Sequence, residues 1–181
     1  MTRIVSPKQI VFYADEDGNE PFEAWIDNLR DKQGRRSIIN RLFRVQQGNY
    51  GDVKRTAKSV ILRTLKPIGR SIKAVRKLRT LDEFAEGYFR DHPDEIDDYL
   101  TEIFQDYAED NDTGALLASL RVIARVRGVS DMAQSTGMSR QGIQKALSGD
   151  GNPRLGNVTS IMKAMGYCLV PQKLPSMHTP H

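Results

Sequence analysis

The sequence predicts a mainly α-helical protein with a helix-turn-helix near its C-terminus and a small α+β segment at its N-terminus. Apolar residues recur at steps of three and four through most of residues 93–165, which is typical of amphipathic helices. Gly137 separates two short helical patterns, which is typical of a tight interhelical turn. A run of β-branched and aromatic residues, 10–15, predicts one strand ahead of the first helix.

The N-terminal half predicts a strand followed by two helices. Pro21 opens the first helix and Gly34 ends it, and a second helix follows over residues 35–48. The apolar face of the first helix consists of Phe22, Trp25, Ile26 and Leu29. One strand and two helices cannot pair the strand edges or bury both helices. Residues 1–65 therefore either pack against something else or are marginally stable by themselves.

Two further helices are predicted before the helix-turn-helix, after a short helix over residues 81–88. Pro93 starts an amphipathic helix whose polar face is nearly all carboxylate, and we interpret these carboxylates as a solvated face rather than as catalytic acids. The following helix covers residues 113–128, with Thr113 as its N-cap and Gly128 at its end.

The charges are strongly segregated along the chain. Residues 54–79 carry ten bases and no acid, residues 82–112 carry thirteen acids and one base, and the residues from 113 onward carry eight bases and two acids. The basic run is a solvated linker, or it pairs with the acidic block, or it adds non-specific DNA contacts. We rank pairing first because the opposite charges adjoin. The positive C-terminal part fits a phosphate-binding surface.

The spacing around Gly137 is that of a DNA-binding helix-turn-helix. Ser130 is placed to cap the first helix, and Ser139 is placed to cap the second. Ala133 lies four residues before Gly137, where two helices cross closely, and Ile143 lies six residues after it, where an apolar side chain points into the core.

The second helix of such a unit lies in the major groove, with its N-terminal residues on base edges. The residues placed there are Ser139, Arg140, Gln141, Gln144 and Lys145. Arginine pairs well with guanine and glutamine with adenine, while Lys145 and Arg154 are suited to phosphates. Gly142 either lets the backbone approach DNA closely or has no role. After a final helix from Leu155, residues 167–170 are interpreted as a short strand.

Composition argues against several classes of protein. No run of eighteen apolar residues predicts a membrane span, and the N-terminus lacks the apolar core of a signal peptide. Cys168 is the single cysteine, so no intrachain disulfide can form, and the chain has three histidines. We expect a cytoplasmic protein without a metal or cofactor.

Residues 95–166 resemble the HigA-type probable addiction module antidotes, which are antitoxins. The run of acidic helix, IARVRG, glycine turn, SRQGIQKALS and GNP matches that family almost without interruption. The resemblance implies a five-helix Cro/CI-like domain that forms a homodimer on a palindromic operator. It also implies DNA contacts for the five residues of the second helix, Ser139, Arg140, Gln141, Gln144 and Lys145.

Residues 22–54 are similar to the first half of HigB toxins of the RelE/ParE superfamily, up to the turn GNYGDVK at residues 48–54. The strands that follow in that family are not recognisable here, so no catalytic residue can be carried over, and we expect no enzymatic activity. The resemblances together predict a truncated toxin-like segment (1–65), a basic linker and short helix (66–92), a helix-turn-helix domain (93–172) and a flexible tail (173–181).

Three functions follow from this organisation. The leading prediction is a sequence-specific, dimeric, DNA-binding transcriptional regulator derived from a toxin–antitoxin module. The second is a fused toxin–antitoxin with residual ribonuclease activity. The third is an antitoxin-like protein that sequesters a small toxin-like partner, whose basic surface would meet the acidic helix 94–110.

Overall fold

The computed structural model describes residues 9–15, 17–49, 78–149 and 151–172, and it confirms a mainly helical protein. The described α-helices are α1 (Pro21–Asp27), α2 (Lys32–Gln46), α3 (Leu81–Asp91), α4 (Ile96–Asp110), α5 (Thr113–Arg127), α6 (Val129–Thr136), α7 (Arg140–Ala146) and α8 (Leu155–Ala164). A short 3-10 helix, Pro93–Glu95, precedes α4. Most of the basic run 54–79, most of the GNYGDVK turn and the tail 173–181 lie outside the described residues.

The strand predicted over residues 10–15 is wrong. The extended chain there makes a single antiparallel bridge between Val11 and Thr80. The pairing cannot continue because Thr80 is the N-cap of α3, where the chain turns into a helix. The short strand predicted over residues 167–170 is also wrong: these residues have no regular structure, and Tyr167 and Leu169 pack against the helical core instead.

The break between α1 and α2 lies at residues 28–31 and not at Gly34. Asp31 is the N-cap of α2, so Gly34 is inside the first turn of that helix. A Cβ at Gly34 would lie 2.7 Å from Oδ2 of Asp31, so the glycine leaves room for the carboxylate. In α1, Ile26 is fully buried but Trp25 is 52% exposed, so the predicted apolar face is narrower than expected.

A capping box and an aromatic cluster hold the N-terminal end of α3. Thr80 and Glu83 form a capping box, in which each side chain bonds the backbone N–H of the other residue. Phe84 packs against Phe12 and Phe22, with ring centroids 4.7 and 5.4 Å away. This cluster fixes the N-terminal extended segment and α1 to α3.

Helix α5 lies at the centre of the molecule, because it packs against α2, α3, α4 and α6. Its N-cap is Asp112, whose side chain accepts a hydrogen bond from the N–H of Ala115 at 3.0 Å; the prediction that Thr113 caps the helix is wrong by one residue. Its buried residues run almost continuously from 115 to 124. One hydrophobic core therefore includes residues from both halves of the chain. The domain limits given above stay predictions.

The carboxylates predicted to form a solvated face are largely paired. Arginines of α2 bind acids of α4, and Arg121 and Arg125 of α5 bind Asp82 of α3. Arg79, the described arginine of the basic run, contacts Glu20 and Glu23 at 2.9 Å and not the acidic block. The N-terminal helices thus have a partner, which is the rest of the same chain.

Among the described residues, the most deeply buried charged side chain is that of Glu95, which is 1% exposed. It accepts hydrogen bonds from Nη2 of Arg35 and from the hydroxyl of Tyr88, and Nε of Arg35 donates to the same hydroxyl at 2.6 Å. Burial raises the pKa of Tyr88 well above its ordinary value, so this phenol stays protonated and remains a donor to Glu95.

We expect Glu95→Gln to destabilise the protein by about 3–5 kcal/mol, because it leaves the buried guanidinium of Arg35 without its counter-charge. Asp94→Asn is the matched control, since it removes the neighbouring but exposed pair with Lys32, and exposed ion pairs contribute little to stability. Urea unfolding of the two variants measures the difference. Equal effects would show that the buried pair does not hold α2 to the rest of the fold.

Candidate nucleic-acid interface

The two helices predicted to form the helix-turn-helix are α6 and α7, and Gly137 lies between them. Gly137 has φ 67° and ψ 9°, the left-handed conformation that glycine adopts without steric cost. The prediction that Ser130 caps α6 is wrong. Gly128 ends α5 and is at the same time the N-cap of α6, so the helix has already begun when the chain reaches Ser130.

Local hydrogen bonds define the turn between α6 and α7. Oγ1 of Thr136 donates to the carbonyl of Met132 at 2.7 Å and accepts from the N–H of Met138 at 3.3 Å. Oγ of Ser139 accepts from the N–H of Gly142 at 2.9 Å, which confirms Ser139 as the N-cap of α7. The hydroxyl hydrogen of Ser139 remains available to donate.

Helix α7 buries one face and exposes the other. Ile143 is 1% exposed and Leu147 is equally buried, so the inner face packs into the same core as Met132 of α6. The exposed residues are Ser139, Arg140, Gln141, Gln144 and Lys145. At about 100° per residue, the four that belong to α7 fall within about 140° of arc, so they form one continuous face.

The bases of this surface lack acidic partners within the described part of the chain. No ion pair there involves Arg140, Lys145 or Arg154. The arginines of α2 and α5 that face α3 and α4, by contrast, are paired with carboxylates. Unpaired, exposed bases leave positive charge free to attract phosphate.

Lys145 and Arg154 line the same open depression, which has a volume of about 450 Å³ and lies between α7 and the loop that leads to α8. Gly142 lines it as well, and a Cβ at that position would approach only Oγ of Ser139, at 3.1 Å. The structure thus brings together the two residues predicted to take phosphates. It places Ser139, Arg140, Gln141 and Gln144 outside this depression, on the exposed side of α7.

Two side chains that sequence reasoning missed hold the C-terminal end of α7. Nη1 of Arg121 donates to the carbonyl of Leu147 at 3.0 Å while its Nε binds Asp82 of α3. The side chain of Gln47, at the end of α2, lies so close to Gly149 that a Cβ there would be 2.9 Å from its Oε1. These contacts join residues far apart in sequence, so no local pattern indicates them.

The described residues offer little to the other classes of site. No group of three or more His, Cys, Asp or Glu side chains among them is placed to hold a metal ion. None of the described helices is long and apolar enough to cross a membrane. An open groove of about 610 Å³ lies between α2 and α4.

Comparison with known proteins connects this interface to a family. Residues 80–172 match the family described as "Probable addiction module antidote protein". An uncharacterized protein of Haemophilus influenzae is 47% identical over 72 residues, which are 40% of this chain and 70% of that protein. No solved structure matches. The matched family residues include α3–α8 but not α1 or α2, so the similarity of residues 22–54 to a toxin stays a prediction.

We expect Gly137→Ala to destabilise the protein by about 1–2 kcal/mol, because a Cβ strains the left-handed backbone. Gly156→Ala is the matched control: neither added methyl would meet any atom within 4 Å, but Gly156 has an ordinary helical backbone. The control should be neutral or stabilising by up to about 1 kcal/mol. Thermal unfolding distinguishes the two, and equal midpoints would contradict the conformational argument.

Proposed function

The chain belongs to the family of probable addiction module antidote proteins, and we propose that it is an antitoxin-type transcriptional regulator that binds DNA through α7. Family membership implies a toxin as protein partner. The observation that supports DNA binding is the exposed, continuous face of α7, whose bases have no acidic partner among the described residues.

In the proposed complex α7 lies in the major groove. Arg140 is the first residue of the helix and Gln144 lies one turn later, so both side chains project from the end that a recognition helix presents to base edges. Arginine donates two hydrogen bonds to O6 and N7 of guanine, and glutamine makes a paired contact with N6 and N7 of adenine. Gln141 and Ser139 complete the polar edge of this face.

Lys145 and Arg154 act as phosphate contacts in this proposal. They share the depression beside α7, which places two cations next to the helix that would read the bases. Phosphate contacts fix the register of the helix without reading sequence. Gly142 lines the same depression, so its missing side chain would allow a phosphate or sugar to approach the α7 backbone.

The active form is proposed to be a homodimer on a palindromic operator. Helix α7 has seven residues and is therefore about 10 Å long, which covers about three base pairs. A second copy on a half-site one helical turn away doubles the length of sequence that is read.

The role proposed here is binding and not catalysis. The described part of the N-terminal segment packs against α3–α5, and its Arg36 and Arg44 are paired with acids of α4. A residual ribonuclease would need those bases free for RNA. We propose that this segment derives from a toxin but serves as part of the regulator's own fold.

We expect Arg140→Ala with Gln144→Ala to abolish enrichment of a palindromic motif when the protein is pulled down from its cells and the bound DNA is sequenced. Each bidentate base contact contributes about 1–3 kcal/mol of discrimination. Arg90→Ala is the control, because it removes an exposed arginine from α3 instead. The proposal fails if the wild-type protein binds no DNA even at low salt, or if RNA is recovered in its place.

Lys145→Ala should behave differently from the double variant Arg140→Ala with Gln144→Ala. We expect weaker binding to every DNA sequence and a slope of log affinity against log salt that is reduced by about one, since one phosphate contact is lost. Fluorescence anisotropy at several salt concentrations, with operator and with scrambled DNA, measures both. A change confined to the operator would assign Lys145 to base reading.

A further inference from the structure

Helices α2 and α4 lie side by side along their whole lengths and run in the same direction. Lys32 contacts Asp94 at the start of the pair, and Asn49 contacts Asp110 at the end. Polar partners across this boundary are separated by 59–66 residues in sequence, as expected for two helices that run in the same direction. The basic face of one helix is thus matched to the acidic face of the other.

Arg36 lies at the centre of this contact. Its guanidinium is within 3.3 Å of both Asp98 and Glu102 and 3.9 Å from Glu95, and its side chain is 8% exposed. Burial raises the pKa of Glu102, and the charge of Arg36 opposes that rise. The carboxylates at the centre of α4 therefore depend for their counter-charge on the guanidinium of Arg36, which belongs to α2.

Two turns further along, Arg44 repeats the arrangement. It binds Asp106 and Asp110, while Asn40 donates to the same oxygen of Asp106 at 2.7 Å. Phe43, the residue next to Arg44, is fully buried in the hydrophobic core. An apolar centre flanked by charged pairs is the usual anatomy of a protein–protein interface.

The boundary between α2 and α4 is open to solvent on one side. The groove of about 610 Å³ follows this boundary and is lined by Arg44, Glu102 and Asp106 among others. Nε of Arg44 and Oε2 of Glu102 are buried there without a hydrogen-bond partner in the described structure. The contact between α2 and α4 is thus polar and leaves some polar atoms without a hydrogen-bond partner, as in contacts between separate proteins.

The family match covers α4 but not α2. It begins at residue 80, so the acidic face of α4 belongs to the matched part and α2 does not. The Haemophilus influenzae relative is short, since 72 residues make up 70% of it, and it has no room for counterparts of both 1–79 and 80–172. Helix α2 therefore lies outside the matched part and, in this chain, covers a surface of it.

We propose that the acidic face of α4 is a docking surface for a basic helix, and that the chain's own α2 fills it as a tethered substitute for a separate partner. The partner class is a helix with arginines two turns apart, as Arg36 and Arg44 are. A tether of this kind produces an effective concentration of about millimolar, so a free basic helix cannot compete at ordinary concentrations. This proposal rests on family membership and is independent of DNA binding.

The test uses a labelled peptide of residues 30–49 as the probe and full-length protein as the receptor. We expect no measurable binding to the wild-type chain. The full-length variant Arg36→Glu with Arg44→Glu, whose own α2 is repelled by α4, should bind the peptide at least about 100-fold more tightly. A peptide with the same two substitutions is the negative control.

A charge exchange makes the assignment specific. Adding Glu102→Lys and Asp106→Lys to the double variant should restore docking of its own α2 and abolish peptide binding again. Equal peptide binding by wild type and double variant, or binding of the substituted peptide, would overturn the proposal.

A second measurement decides the question if the double variant does not fold. A protease site is inserted between residues 55 and 65 of the otherwise wild-type chain, and the folded protein is cut. We expect the two fragments to remain together in native mass spectrometry and gel filtration at moderate salt. Separation of the fragments at low salt would show that α2 is held only by its covalent connection, and would exclude a docking surface.

Discussion

The structure depends on the buried carboxylate of Glu95, because it connects α3 and α4 with α2, which is distant from both in sequence. It lies where the 3-10 helix meets α4, and it accepts hydrogen bonds from Tyr88 of α3 and from Arg35 of α2. A buried charge is costly unless every partner is in place. All hydrogen bonds of the carboxylate form only when α2, α3 and α4 take one mutual arrangement. These hydrogen bonds therefore specify the packing of the three helices as well as stabilising it.

That arrangement explains how a segment with too few elements of its own can be ordered. The N-terminal helices do not build a separate core; Ile39 and Phe43 are buried in the core that α5 organises. The same packing brings Gln47 against Gly149, beyond the end of α7. This contact and the hydrogen bond from Arg121 to the carbonyl of Leu147 support α7, the helix that we propose contacts DNA.

The charges are sorted by this packing into two sets. Several acids of α3 and α4 are paired with arginines of α2 and α5, which reduces the free negative charge of the acidic block. The described bases of α7 and Arg154 have no such partners. A mild net charge of +4 is thus compatible with a locally positive face, since it is the unpaired charges that attract a polyanion.

Sequence by itself determined the helices of the C-terminal part, the left-handed turn at Gly137, the cap at Ser139 and the exposed face of α7, because these depend on local periodicity and on backbone preferences of single residues. It did not determine that residues 10–12 pair only briefly, that α2 begins at Lys32, or that the carboxylates of α4 are paired. These features were decided by the tertiary structure alone. The brief pairing of residues 10–12 and the pairing of the carboxylates depend on contacts between residues more than sixty positions apart, and a carboxylate on a helix face has the same local pattern whether water or an arginine covers it.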